Sequence, residues 1–101
     1  MYGTVAKLQV KPGMLDALQA WGSSRDGTIP GYVSQYVFQT DADPNVLLLV
    51  VIFADKASYE ANAKDPYQDS RYREMRAFLS ADPEWQDGAV IYSNEAIAHG
   101  L

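Results

Sequence analysis

Two short stretches of this 101-residue chain hold the residues best suited to chemistry. In KASYEANA, residues Tyr59, Asn62 and Ala63 stand at i, i+3 and i+4, so a helix would put them on one face. In YQDSRYREMRAFL, Tyr72 and Arg76 are again i and i+4. A phenol, a carboxamide and a guanidinium can hydrogen-bond a bound small molecule and stabilise an anionic oxygen. Each also has a plainer reading. An asparagine beside a helix break bonds local backbone, and an arginine at the rim of an apolar stripe lays its stem along that stripe with its head in water. Seven Tyr and two Trp against three Phe supply aromatic surfaces with polar tips, the usual lining of a small-molecule pocket between sheet and helices.

Other chemistries lack their residues. The single histidine, His99, leaves no H-E-x-x-H zinc site and no well-held Ser-His-Asp triad. GSSRDG lacks the lysine and the spacing of a phosphate cradle. Asp82, Glu84 and Asp87 gather three carboxylates, but in no calcium-loop spacing, and like Asp41 and Asp43 they read as solvated turns, so no metal is expected. The absence of cysteine excludes disulfides and thiolate metal sites and fits a reducing, cytoplasmic setting. A net charge of −5 repels phosphate backbones, and Arg71, Arg73 and Arg76 point in different directions around a helix, so nucleic acid is not an expected partner. The N-terminus has no secretion-signal pattern, and no apolar run reaches the roughly 20 residues needed to span a bilayer as a helix, so no membrane association is expected.

Stepping along the chain, YGTVAKLQV (2–10) reads as a strand, closed by Pro12 and Gly13. MLDALQAW places Met14, Leu15, Leu18 and Trp21 on one helical stripe, which Gly22 ends. YVSQYVFQ is a second strand, with Tyr32, Ser34, Tyr36 and Phe38 on one face. TDADPN then turns into the apolar run VLLLVVIF. Asp55 caps a helix through the Ser58 amide. Asp65 starts another, with proline at the first helical position and Gln68 at the third, running to Leu79. A last strand covers roughly Trp85 to Ser93, and NEAIAHGL is a tail. One domain is expected, with its core at about 3–93 and the tail at 94–101. The order β-α-β-β-α-β, its second helix in two pieces, is the α+β ferredoxin-like pattern: a four-stranded antiparallel sheet with the helices on one face and the first and third strands in the middle.

VLLLVVIF then raises a difficulty. Alternation puts Val46, Leu48, Val50 and Ile52 on one face and Leu47, Leu49, Val51 and Phe53 on the other, but helices cover only one of them. Leaving four such side chains bare forgoes roughly 6 to 12 kcal/mol, about the stability of a whole domain. A homodimer packed sheet against sheet answers this; the tail folding back over the face is the alternative.

KPGMLDALQAW, IPGYVSQYVFQ, the apolar strand ending in FAD, and KASYEANAKDPYQDSRYREMRAFL together resemble the antibiotic biosynthesis monooxygenase family of the dimeric α+β barrel superfamily, over about residues 3–93. The resemblance implies a dimer and the oxygenation of a small aromatic, a phenol, anthrone or quinol, without flavin, haem or metal and with no other cofactor. It also implies catalytic roles for Asn62, Tyr72 and Arg76 and substrate contacts from Trp21, Tyr36 and Tyr59. Haem degradation, a branch of the same superfamily, does not fit, since the first strand has no Asn and no His precedes position 99. No strong base is visible, so the proton acceptor must be a carboxylate, water or the substrate's own acidity. Rival readings are a non-catalytic dimer binding a small apolar metabolite, an uncharacterised stress or metabolic protein of this fold, and an isomerase or decarboxylase of the superfamily.

Overall fold

The fold follows from where each strand can find partners, and a computed structural model describes it for residues 1–23 and 29–95. Most of GSSRDG and the end of the tail, His99 included, lie outside the described residues. The elements are β1 (Tyr2–Gln9), α1 (Leu15–Ser23), β2 (Tyr32–Gln39), β3 (Val46–Phe53), α2 (Lys56–Ala63), α3 (Pro66–Arg76) and β4 (Glu84–Ala89). The strands form one antiparallel sheet in the order β2-β3-β1-β4, so β1 and β3 are central and the fold is the expected ferredoxin-like α+β arrangement.

The sheet has two unlike faces. Beneath the helices, Leu47, Leu49 and Phe53 are buried with Ala6, Leu8, Val10, Leu18 and Leu79. On the other face Val46, Leu48, Val50 and Ile52 are only half-buried. Cross-strand pairing puts Val5 and Tyr36 opposite Val50, and Phe38 opposite Leu48. Val5 is 46% exposed, Tyr36 59% and Phe38 54%, so among the described residues nothing covers this largely apolar face; Lys7 and Glu84 form a 4.0 Å ion pair on its β4 side.

Several boundaries differ from the sequence reading, each for a local reason. Helix α1 runs through Gly22 to Ser23, because one glycine costs a helix only about 1 kcal/mol. Helix α3 stops at Arg76 rather than Leu79: Phe78 and Leu79 donate to carbonyls three residues back, and Leu79 bridges to Val10. Strand β4 ends at Ala89 because its partner β1 runs out at Tyr2; one further bond, from the Val90 amide to the Met1 carbonyl, is all that remains.

Gly31 fixes the approach of β2 to α2. Its φ is +78°, its carbonyl accepts from the Ala54 amide at 2.7 Å, and a Cβ there would run into the Ser58 side chain. Gly31→Ala will therefore destabilise the fold by about 1–3 kcal/mol, read from the urea midpoint at unchanged m-value.

Candidate active site

Helix α2 is set by its first residue. Asp55 has an extended backbone, and its Oδ1 accepts from the Ser58 hydroxyl at 2.6 Å and the Ser58 amide at 2.7 Å. These bonds hold the Asp55 carboxyl below its ordinary value. With that start, Tyr59 falls one turn on, over the end of β3, where Phe53 is 1% exposed. The Tyr59 ring meets Phe53 edge-on, centroids 5.6 Å apart, and tilts against Tyr2 at 5.3 Å.

This aromatic packing aims the Tyr59 hydroxyl across to β4, where it donates to Asp87 Oδ1 at 2.8 Å. Asp87 stands beside Thr4, its cross-strand neighbour, on the helix side of the sheet. Burial pushes the Tyr59 phenol up to about 12, and the bond to Asp87 adds to the shift. A raised value means that the folded state favours the neutral phenol. Its stabilising effect is complete below about 10 and lost as pH rises through about 12. Tyr59→Phe will accordingly show a shallower fall in Tm between those two pH values than the wild type.

Around this pair lies a cavity of about 440 Å³ between β1, β3, β4 and helices α2 and α3. Tyr59, Asn62, Tyr72, Trp85 and Asp87 line it with Val51 and Phe53. A second cavity of about 330 Å³ shares Gln68, Tyr72 and Trp85 with it and reaches Trp21. A third, about 690 Å³, lies between α1 and the β2 side of the sheet and is mostly apolar. The second and third share Trp21, Gln35, Leu49 and Met75, so the three cavities adjoin one another in a row, called the trench below.

Four of the six expected site residues border this trench. Asn62, Tyr59 and Tyr72 line the first cavity. The Asn62 amide and the Tyr72 hydroxyl have no hydrogen-bond partner among the described residues, although the Asn62 carbonyl accepts from the Lys64 and Asp65 amides at the helix break. The Tyr72 ring tilts against Trp85, 6.4 Å between centroids. Trp21 walls the second cavity; its Nε1–H donates to Glu74 at 2.9 Å, and the Arg71 guanidinium lies 4.0 Å over its ring.

The other two lie elsewhere. Arg76 Nε donates to Asp82 at 2.7 Å and Nη1 to the Leu79 carbonyl at 2.7 Å, so its head closes the end of α3. Tyr36 is paired with Val50 and therefore sits on the face of the sheet away from the cavity. The three carboxylates Asp82, Glu84 and Asp87 are exposed, as expected, and each has its own partner: Asp82 has Arg76, Glu84 has Lys7 and Asp87 has Tyr59. Among the described residues no group of three potential ligands is arranged to hold a metal.

The sequence reading missed Trp85, Asp87, Thr4, Gln68 and Arg71. Trp85 and Asp87, two apart on one strand, share a face, which was a readable signal. Gln68 was expected to reach back to its helix start. The Asp65 amide is already bonded to the Asn62 carbonyl, while Asp65 Oδ1 accepts from Tyr67, so Gln68 turns into the trench. Its Oε1 and the Arg71 Nε are buried without hydrogen-bond partners among the described residues.

Solved structures share the fold. A candidate antibiotic biosynthesis monooxygenase from Nitrosomonas europaea superposes with a TM-score of 0.74 at 17% identity, covering 91% of this chain and 100% of that one. A protein of unknown function from the same organism also gives 0.74 at 17% identity, over 95% and 94%. SnoaB, a cofactor-independent oxygenase from Streptomyces nogalater solved as an asparagine-to-alanine variant, gives 0.69 at 12% identity, over 91% and 94%. No curated protein matches the sequence. The family model described as antibiotic biosynthesis monooxygenase matches residues 1–70, which include Thr4, Tyr59 and Asn62 and stop before Tyr72, Trp85 and Asp87. With that match over more than two thirds of its length, on the fold just described, the chain belongs to the antibiotic biosynthesis monooxygenase family.

Proposed function

We propose that this protein is a cofactor-independent monooxygenase acting on a small electron-rich aromatic, a phenol, anthrone or quinol. The observation that carries the reading is the cavity beneath α2 and α3. There a carboxamide (Asn62) and a phenol (Tyr72) without hydrogen-bond partners among the described residues border space walled by Trp85, Phe53 and Val51. Aromatic walls fix the plane of a flat substrate, and the shared lining with the second cavity leaves room for a further ring. Deprotonated, such a substrate can itself reduce O₂. The protein's part is then to hold it, stabilise its anion through the Asn62 N–H and keep water away. The Streptomyces neighbour, named as a cofactor-independent oxygenase, supports this reading.

The same reading includes a homodimer packed through the open face, where Val5, Tyr36 and Phe38 are about half exposed beside the apolar β3 residues. Tyr36 then acts at the interface rather than on substrate.

Oxygen uptake with anthrone or a naphthoquinol tests the chemistry. Asn62→Ala is expected to lower kcat by about 10²-fold. Arg76→Ala is expected to lower stability while leaving kcat within about threefold, since its partners are Asp82 and the Leu79 carbonyl. Uptake no faster than buffer, or indifferent to Asn62, sinks the proposal. The 690 Å³ cavity favours a second reading, binding without catalysis. Its walls include Leu8, Leu15, Leu18, Val37 and Leu49, surfaces that can hold an apolar molecule but not react with it.

A further inference from the structure

The oxygenase reading leaves one role unfilled, that of the group that takes the substrate's proton. Asn62 and Gln68 are not bases, and a phenol titrates too high to act as one at neutral pH. Tyr59 is in addition held protonated by its burial and by its bond to Asp87. Two carboxylates line the first cavity, Asp69 and Asp87. Arg73 Nη2 holds Asp69 Oδ2 at 2.7 Å. Asp87 differs: Oδ1 accepts from Tyr59, and Oδ2 has no partner among the described residues.

We propose that Asp87 is the catalytic proton acceptor and that Tyr59 is its positioning residue. In the step, the O–H bond of a phenol, quinol or enolised anthrone breaks, an O–H bond forms on Asp87 Oδ2, and the bonding pair stays on the substrate oxygen. The anion is then oxidised by O₂. A phenol or an anthrone gives a quinone and water, the carboxyl returning its proton to the oxygen that leaves as water; a quinol gives its quinone and hydrogen peroxide, which takes up the carboxyl's proton and that of the second hydroxyl.

The surroundings suit this role. The polar groups that share the cavity with Asp87 are Tyr59 and Asn62 from α2, Thr4 from β1, and Gln68, Asp69 and Tyr72 from α3. None is a cation. Arg73 reaches this cluster but is bound to Asp69 at 2.7 Å, Lys56 lies 5.7 Å over the Tyr2 ring and pairs with Glu60 at 3.8 Å, and no cation forms an ion pair with Asp87 among the described residues. Oδ2 of Asp87 is not tied to an arginine as the Asp69 carboxylate is. Proton transfer from a phenol to a carboxylate is uphill and proceeds only where the resulting anion is itself stabilised. The Asn62 amide lines the same cavity and can donate to it.

This inference rests on the oxygenase reading, and two measurements separate their failures. The first is kcat/KM against pH for oxygen uptake with a naphthoquinol. Asp87→Asn, which keeps an acceptor for Tyr59, is expected to lose about 10²–10³-fold and the acidic limb of the profile. Asp69→Asn is expected to keep that limb, and Tyr59→Phe to keep it with about tenfold lower kcat/KM. An acidic limb that survives Asp87→Asn overturns the assignment and spares the oxygenase reading.

The second measurement needs no turnover. Wild type is expected to bind 4-nitrophenol in its neutral form, raising the dye's apparent pKa, whereas Asp87→Asn binds the anion at least as well. If that preference depends on Asp87 while no oxygen is consumed, the acceptor stands and oxygenation falls. If the preference is absent from wild type or unchanged in Asp87→Asn, the acceptor falls whatever the kinetics show.

Discussion

Val50→Asp will turn the proposed dimer into a folded monomer, with light scattering at micromolar concentration reporting half the wild-type mass. Val50 lies at the middle of the open face, opposite Val5 on β1 and Tyr36 on β2. In the isolated chain it is only half-buried, so an aspartate there still meets water, and far-UV circular dichroism should be unchanged. In a sheet-to-sheet dimer the same carboxylate is stripped of water among apolar side chains. An unpaired buried charge costs about 3–5 kcal/mol, and two-fold symmetry presents it twice. The dissociation constant should then rise by about four orders of magnitude or more. A wild type that is already monomeric would end the dimer proposal, because the apolar face would then be stable in water.

Phe53→Ala carries the largest expected loss of stability, about 3–5 kcal/mol out of a total of about 5–15 kcal/mol. Phe53 is 1% exposed at the end of β3, paired with Tyr2 on β1 and with Tyr32 on β2. Its ring meets Tyr32 and Tyr59 edge-on, at 6.1 and 5.6 Å. Truncation leaves a hole where two strands and α2 converge, and the Tyr59 ring loses the surface that aims its hydroxyl at Asp87. Urea unfolding should show the loss, and near-UV circular dichroism a weakened tyrosine signal at denaturant concentrations where the backbone is still folded. Leu79→Ala provides a contrast. Leu79 is also fully buried but packs in the separate cluster of Leu8, Val10 and Leu18, so it should cost about 2–5 kcal/mol without changing the tyrosine signal. Equal spectral effects from both substitutions would contradict the idea that Phe53 organises the site.

The fold was legible because its signals are local. Asp55 and Asp65 cap helices through amides two or three residues away, and alternation in VLLLVVIF separates Leu47, Leu49 and Phe53 from Val46, Leu48, Val50 and Ile52. The shared face of Tyr59, Asn62 and Ala63 needs only the pitch of a helix, and all three line the cavity. Arg76 was harder. Its position on the helix suggested a role in the pocket, but the early end of α3 frees the Leu79 carbonyl and brings Asp82 within 2.7 Å.

By itself, then, the sequence determined the order of the elements, the apolar character of both sheet faces and the helical face carrying Tyr59 and Asn62. Those properties depend on neighbours within about four positions, whose geometry the backbone sets. Tertiary structure alone decided that Asp87 meets Tyr59, 28 residues away. That contact depends on the register in which β4 pairs with β1, which puts Asp87 beside Thr4, and on the aromatic packing that lays α2 over Phe53. Both arise from burial of distant surfaces against one another, and no short stretch of the chain encodes them.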